Sequence, residues 1–152
     1  MPSKNIIVVV VDRLHAGMLG AYGNTWIRTA HFDELASQSF LFDQAIIESP
    51  RLDAIYRAFW LGETAAAAGA PASAASFPQL VNSAGWHTAL ITDERELVNY
   101  PAATAFAEQT IVNTPDVNEA TANVSDTQLA RLFMTATEWF AAAREPFCLW
   151  LH

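Results

Sequence analysis

Three carboxylates and two guanidinium groups occupy positions where chemistry is possible. Asp12, followed by Arg13, closes the apolar run "NIIVVVVD", and Asp93 closes "HTALITD". In a parallel α/β sheet the carboxyl ends of the strands are where ligands bind. A carboxylate at such an end either supplies oxygen ligands to a divalent cation or simply ends the strand and opens a turn. In "SPRLDAIYRAFWLGE", residues 49–63, Asp53 and Arg57 stand four apart on the first turns of a helix, the spacing of an i,i+4 ion pair. Ser49 and Pro50 form a helix start signal, and an acid in the first turn meets the positive end of the helix dipole. Asp53 is therefore either a structural helix acid or part of a binding site. His15, His31 and His87 show no metal-ligand spacing such as His-x-x-x-His. Ser83, Thr88 and Thr92 have no paired base at a recognisable spacing.

The elements that must position these groups read as an α/β domain. "NIIVVVVD" is a continuous β-branched run, the pattern of a strand covered on both faces in a parallel sheet. "HTALITD" (87–93), "QTIVN" (109–113) and "PFCLWLH" (146–152) are the other strands. Each follows a helical segment. "FPQLVNSAGW" has Leu80, Val81 and Ala84 on one face and Gly85 at its C-terminus. "ERELVNYPAATAFA" is broken by Pro101. "LARLFMTATEWFAAAR" is preceded by a Ser125–Gln128 capping box and has Leu129, Leu132, Phe133, Ala136, Phe140 and Ala143 facing the sheet. Repeated helix-then-strand order implies a mostly parallel sheet with right-handed crossovers and helices on both faces. "TAAAAGAPASAAS" (64–76) reads as an Ala-rich surface loop. A single domain over 1–152 follows, and its abrupt close on the strand "CLWLH" reads as a fragment of a longer chain.

Composition narrows the function classes. The chain is 52% hydrophobic and 16% charged, and no apolar run approaches the about 20 residues of a spanning helix. No membrane partner is expected. Sixteen acids against eight Lys and Arg give a formal charge of −8, a field that repels phosphate backbones, so nucleic acid is excluded as a partner. The one cysteine, Cys148, lies in an apolar run and reads as a buried hydrophobe. Trp60, Trp86, Trp139 and Trp150 read as core or interface. "MPSKNIIVVVVDR" lacks a signal-peptide pattern, which points to the cytoplasm.

The stretch "NIIVVVVDRLHAGMLGAYGNTWIRTAHFDELASQSFLFDQAIIESP" resembles the opening of the sulfatases, in the alkaline phosphatase superfamily. That family has a strand ending in paired aspartates, then Leu-Gly-x-Tyr-Gly-Asn, Thr-Pro-x-x-Asp-x-Leu-Ala and Phe-x-x-Ala elements. Here they read "VVVVDR", "LGAYGN", "TAHFDELA" and "FDQA", in order. "SAGWHTALITDE" and "REPFCLWLH" resemble two later family strands. A flavodoxin-like module is opposed by the absence of Gly-x-Gly-x-x-Gly after the first strand.

The resemblance implies an alkaline phosphatase/sulfatase-like fold, a calcium or other divalent cation, and a formylglycine nucleophile made from Cys or Ser in Cys/Ser-x-Pro-x-Arg. The signature's arginine falls on Arg57 and its nucleophile on Asp53, with Ile55 at the proline. The paired metal aspartates become Asp12 and Arg13, and Asp93 stands where a substrate-binding lysine is expected. Family members complete the metal site with residues beyond position 152, and His152 takes no family role. These changes imply a degenerate domain, a pseudoenzyme without a cation, acting as a structural or binding module for the remainder of its own chain or a protein partner. The alternative is an active metal-dependent sulfuric or phosphoric ester hydrolase with a new role for Asp53. On the degenerate reading Arg13 takes the cation's place against Asp53 or Asp93. Arg13→Ala is then expected to lower the melting temperature clearly, as a thermal melt would record.

Overall fold

The computed structural model describes residues 4–64, 75–113 and 120–152. The expected Ala-rich loop lies for the most part outside them. Two compact units are distinguished, one formed by residues 1–10 and 48–152 and the other by Val11–Ile47.

The larger unit carries the sheet. Strands β1 (Ile6–Val9), β2 (His87–Thr92), β3 (Glu108–Ile111) and β4 (Phe147–Leu151) run parallel in the spatial order β1-β4-β2-β3. Side chains alternate across the sheet. Ala89, Ile91, Leu149 and Leu151 face α5 (Gln128–Ala142) and pack with its Leu132 and Ala136. Leu90 and Trp150 face the other way, against Tyr56 and Trp60 of α2 (Leu52–Leu61) and Leu97 of α4 (Arg95–Val98). Helix α3 (Phe77–Ser83) adjoins α2 and β2. This is the expected α/β sheet with helices on both faces.

Several local expectations shift. The first strand is not covered on both faces: among the described strands it lies at the edge, half-buried on the α2 side, with Ile7 and Val9 exposed on the α5 side. The α3 face is rephased, with Pro78 buried and Leu80 and Ala84 exposed, because Pro78 at the helix start enters the core. Ser125 does not cap α5. It belongs to a 3-10 turn, Val124–Asp126, and Thr127 caps the helix by accepting from Ala130 N–H at 3.3 Å. The inward stripe of α5 is Leu132, Ala136, Trp139 and Ala143, while Leu129, Phe133 and Phe140 remain exposed. Pro101 breaks its segment as expected, into α4 and a 3-10 turn over Pro101–Ala105. Thr88 is structural: its hydroxyl donates to Asn82 Oδ1 at 2.8 Å and accepts from Ala107 N–H at 3.0 Å, fastening α3 and the approach to β3 onto β2. Cys148 is fully buried, and desolvation pushes its thiol up to about 11.

The smaller unit explains the "LGAYGN…TAHFDELA" pattern as architecture. Thr29 Oγ1 accepts from Gly20 N–H at 2.7 Å and donates to Asp33 Oδ1 at 3.1 Å at the head of α1 (Ala30–Ser37). A Cβ on Gly20 would come within 2.5 Å of the Asp33 carboxylate. Asn24 donates to Met18 O and Ile27 O and accepts from Trp26 N–H. Gly23 takes the left-handed conformation, φ +94°.

Among the described residues no helix is long and apolar enough to cross a membrane. Burial sets a contrast between two aromatic and aliphatic positions. Trp60→Ala, at 1% exposure, is expected to lose about 3–5 kcal/mol in urea unfolding. Leu80→Ala, at 57% exposure, is expected to stay within about 0.5 kcal/mol.

Candidate functional site

All four strands point the same way, so their carboxyl ends share one edge of the sheet. Thr92 ends β2 there with Asp93 after it, and His152 follows β4. Asp93 N–H donates to His152 O at 3.4 Å, and Thr92 Oγ1 accepts from Glu94 N–H at 3.0 Å. Tyr56 of α2 places its ring edge against His152, with centroids 5.6 Å apart. His152 is 8% exposed and its Nδ1 is buried without a hydrogen-bond partner. The start of α2 thus lies by the end of β4, and α2 carries Asp53 and Arg57.

The helix begins at Leu52, two residues past the Ser-Pro signal, because Arg51 is still extended at φ −77°, ψ 132°. From that position the Arg51 side chain folds back onto the first turn. Its Nε donates to Asp53 Oδ1 at 3.0 Å and its Nη2 to Oδ2 at 2.7 Å. Both carboxylate oxygens face one guanidinium, the bidentate geometry that favours the charged acid. The hydrogen bond from Arg51 accordingly holds the Asp53 carboxyl below its ordinary 3.8. Arg57 goes elsewhere, to Glu63 Oε2 at 3.6 Å beyond the left-handed Gly62.

Asp53 and Arg57 therefore do not pair with each other. An i,i+4 contact loses to a neighbour whose extended backbone presents a fork to the same carboxylate. The two residues nonetheless line one cleft of about 570 Å³ with Leu61, Ser76, Gln79 and Tyr100. Asp53 also borders a smaller hollow with Tyr56, Glu96 and Tyr100. Asp93 lines neither; its Oδ2 accepts from Gln128 Nε2 at the first residue of α5. Gln128, read from spacing as a cap, is thus a partner of Asp93.

Asp12 and Arg13 belong to the smaller unit. Arg13 Nε meets Asp12 Oδ2 at 3.3 Å, with the two side chains 92% and 59% exposed. Arg13 has φ +59°, a left-handed conformation that a non-glycine residue adopts at some cost. Within the smaller unit Arg13 meets the carboxylate of its own neighbour. The one retained metal-type carboxylate is thus shared with a guanidinium, which opposes a second positive charge. Among the described residues no three His, Cys, Asp or Glu side chains converge to hold a metal ion.

Two partners escaped sequence reasoning. Arg51 lies two residues before Asp53, a separation that brings side chains together only when the first residue is outside the helix. Gln128 is 35 residues from Asp93, and no local pattern announces it.

A family model described as Sulfatase matches residues 4–152. Human steryl-sulfatase is 33% identical over 105 residues, covering 57% of this chain and 18% of that protein. Mouse steryl-sulfatase is 30% identical over 105 residues, covering 57% and 17%. Human arylsulfatase D is 26% identical over 113 residues, covering 62% and 19%. The matched segment spans under a fifth of the length of these curated relatives. No solved structure matches the chain.

Two measurements check the electrostatics. The Asp53 carboxyl is expected to titrate below 3.8 by NMR, and Arg51→Ala should return it toward that value. A depressed folded value stabilises the fold above 3.8 and loses that contribution as pH falls through the folded titration. Arg13→Ala, with a side chain 92% exposed, is now expected to leave stability within about 0.5 kcal/mol, since exposed pairs contribute little.

Proposed function

Since the chain belongs to the sulfatase family, matching its model over residues 4–152, we propose that it is a sulfatase-like domain that has lost ester hydrolysis and serves as a binding or structural module. The observation that carries this is the Arg51 clamp on Asp53, 2.7 and 3.0 Å long. Asp53 stands at the nucleophile position of the resemblance, and formylglycine is made only from Cys or Ser. A carboxylate can act as a nucleophile in its own right. Here both its oxygens accept from a guanidinium, which lowers their basicity.

Two further features support the same reading. Sulfatases are generally dependent on a divalent metal, yet Asp12 is engaged by Arg13. Asp93, where a lysine would meet the sulfate, contributes a negative charge that opposes an anionic ester. The formal charge of −8 favours a protein or a basic partner over nucleic acid.

The test is an assay of 4-nitrophenyl sulfate and 4-nitrophenyl phosphate with calcium, magnesium and manganese, beside calorimetric titration with calcium. The expected result is a rate equal to buffer and no heat of specific binding. Asp53→Cys combined with Ile55→Pro, coexpressed with a formylglycine-generating enzyme, should remain inactive because Arg13 and Asp93 still carry the wrong charges. Turnover lost in Asp53→Ala, or calcium binding tighter than about 1 mM abolished in Asp12→Ala, would establish a working hydrolase instead.

A further inference from the structure

The side chains that fasten α5 to the amino-terminal edge of the sheet include one that changes charge near neutral pH. His87, Ala89 and Ile91 alternate onto the α5 side of β2. Glu108 is in register with Ala89, so it reaches the same face from β3. His87 Nε2 lies 3.0 Å from Glu108 Oε1, and the Trp139 indole of α5 donates to Glu108 Oε2 at 2.7 Å. The imidazole and indole planes are within 6° of parallel, with centroids 6.0 Å apart. Phe147 of β4 stands at 90° to the indole, 5.3 Å away. Three elements thus meet in a closed ring of contacts in which His87, Glu108 and Trp139 each touch the other two.

Hydrogen placement follows from the acceptor. An ionised carboxylate only accepts, so Nε2 carries a hydrogen and Nδ1 is the bare nitrogen of the neutral ring. A second proton enters at Nδ1 and leaves the Nε2 contact in place. The contact to Glu108 then becomes a charge-assisted ion pair, and the indole face meets a cation at the about 6 Å range over which its quadrupole attracts one. Both contacts strengthen in the charged form. Among the described residues Glu108 is the charged group that faces His87 from β3. Helix α5 presents Trp139, while its Arg131 and Glu138 line a hollow with Thr110 and Ile111. Ahead of β4, Glu145 is held by Asn5 Nδ2 at 2.9 Å, with Arg144 beside it in the chain. The turn into β2, residues 83–86, carries no charge.

We propose that His87, Glu108 and Trp139 form a proton-controlled clasp that tightens the second half of α5 on the sheet as pH falls through the imidazole range. An imidazole changes charge between about pH 5 and 8, and a carboxylate stays ionised down to about pH 4–5. The clasp's contribution is present below about pH 6 and is lost as pH rises past about 7. The helix it tightens is the one whose first residue, Gln128, holds Asp93. The clasp is independent of whether an ester is hydrolysed.

The test pairs amide hydrogen exchange with tryptophan emission on the full-length protein between about pH 8 and 5.5. Amides of residues 139–142, corrected for intrinsic exchange, are expected to gain about two- to fivefold protection at the acidic end. Trp139 emission, taken as the difference from Trp139→Phe, is expected to fall over the same range, because an imidazolium quenches a stacked indole by electron transfer. His87→Gln, which keeps a donor, should remove both changes and leave α5 protection at the alkaline end as it was. Protection that does not change with pH, or that changes equally in His87→Gln, overturns the proposal. Quenching without a gain in protection overturns it too, as contact without control. The ester assays read the degenerate-site proposal separately, so either can fail alone.

Discussion

Strand β4 is the member on which both layers of this sheet are built. All five of its residues are buried, and it lies between β1 and β2, hydrogen-bonded to each. Leu149 and Leu151 belong to the α5 core, and Trp150 to the core under α2. Around the Trp150 indole stand Tyr56, Phe59, Trp60 and Phe77, with ring centroids between 5.6 and 6.0 Å. Its N–H reaches the Tyr56 hydroxyl at 3.3 Å. Edge-to-face aromatic packing of this kind fixes ring orientation as well as burying area. The position of α2, and through it of Asp53, is therefore set by a side chain almost a hundred residues further along the chain.

The charged groups follow a different logic from the core. Asp12, Asp53 and Arg57 each meet a partner no more than six residues away, and Asp53 is held by a fork rather than a point charge. Local pairing of exposed groups adds little to stability. What it does is assign each charge, leaving fewer of them free to hold a cation or an ester. The motifs that define the smaller unit are contacts of architecture. The approach of Gly20 to Asp33 and the four side-chain hydrogen bonds of Asn24 need no ligand.

Much of the fold was legible because long β-branched runs and Pro or Gly punctuation signal buried strands and helix ends strongly. β2 and β4 emerge from "HTALITD" and "PFCLWLH" with little change, and α4 stops before Pro101 as its ring requires. Phase was less legible than existence. Helix α5 offers two adjoining apolar stripes, and only tertiary contact with β2 and β3 selects the one containing Trp139. The run at β1 is apolar on both faces whether or not both are covered, so its unequal burial has no sequence signature. At the site, the i,i+4 rule presumes that both partners are helical. Arg51 is not, and that one extended residue redirects the carboxylate the resemblance singles out.

The order of the strands has a consequence for synthesis. Ile6–Val9 leaves the ribosome before the other described strands, yet its only partner among them is Phe147–Leu151. Until Phe147–Leu151 emerges, the β-branched run of β1 has no mate among the described strands, and the apolar side chains of α2 lack Trp150 to close over them. Pairing across so long a loop is slow, and unpaired apolar strands are prone to associate with one another. Until its last described strand emerges, the nascent chain carries an apolar strand that is open to association.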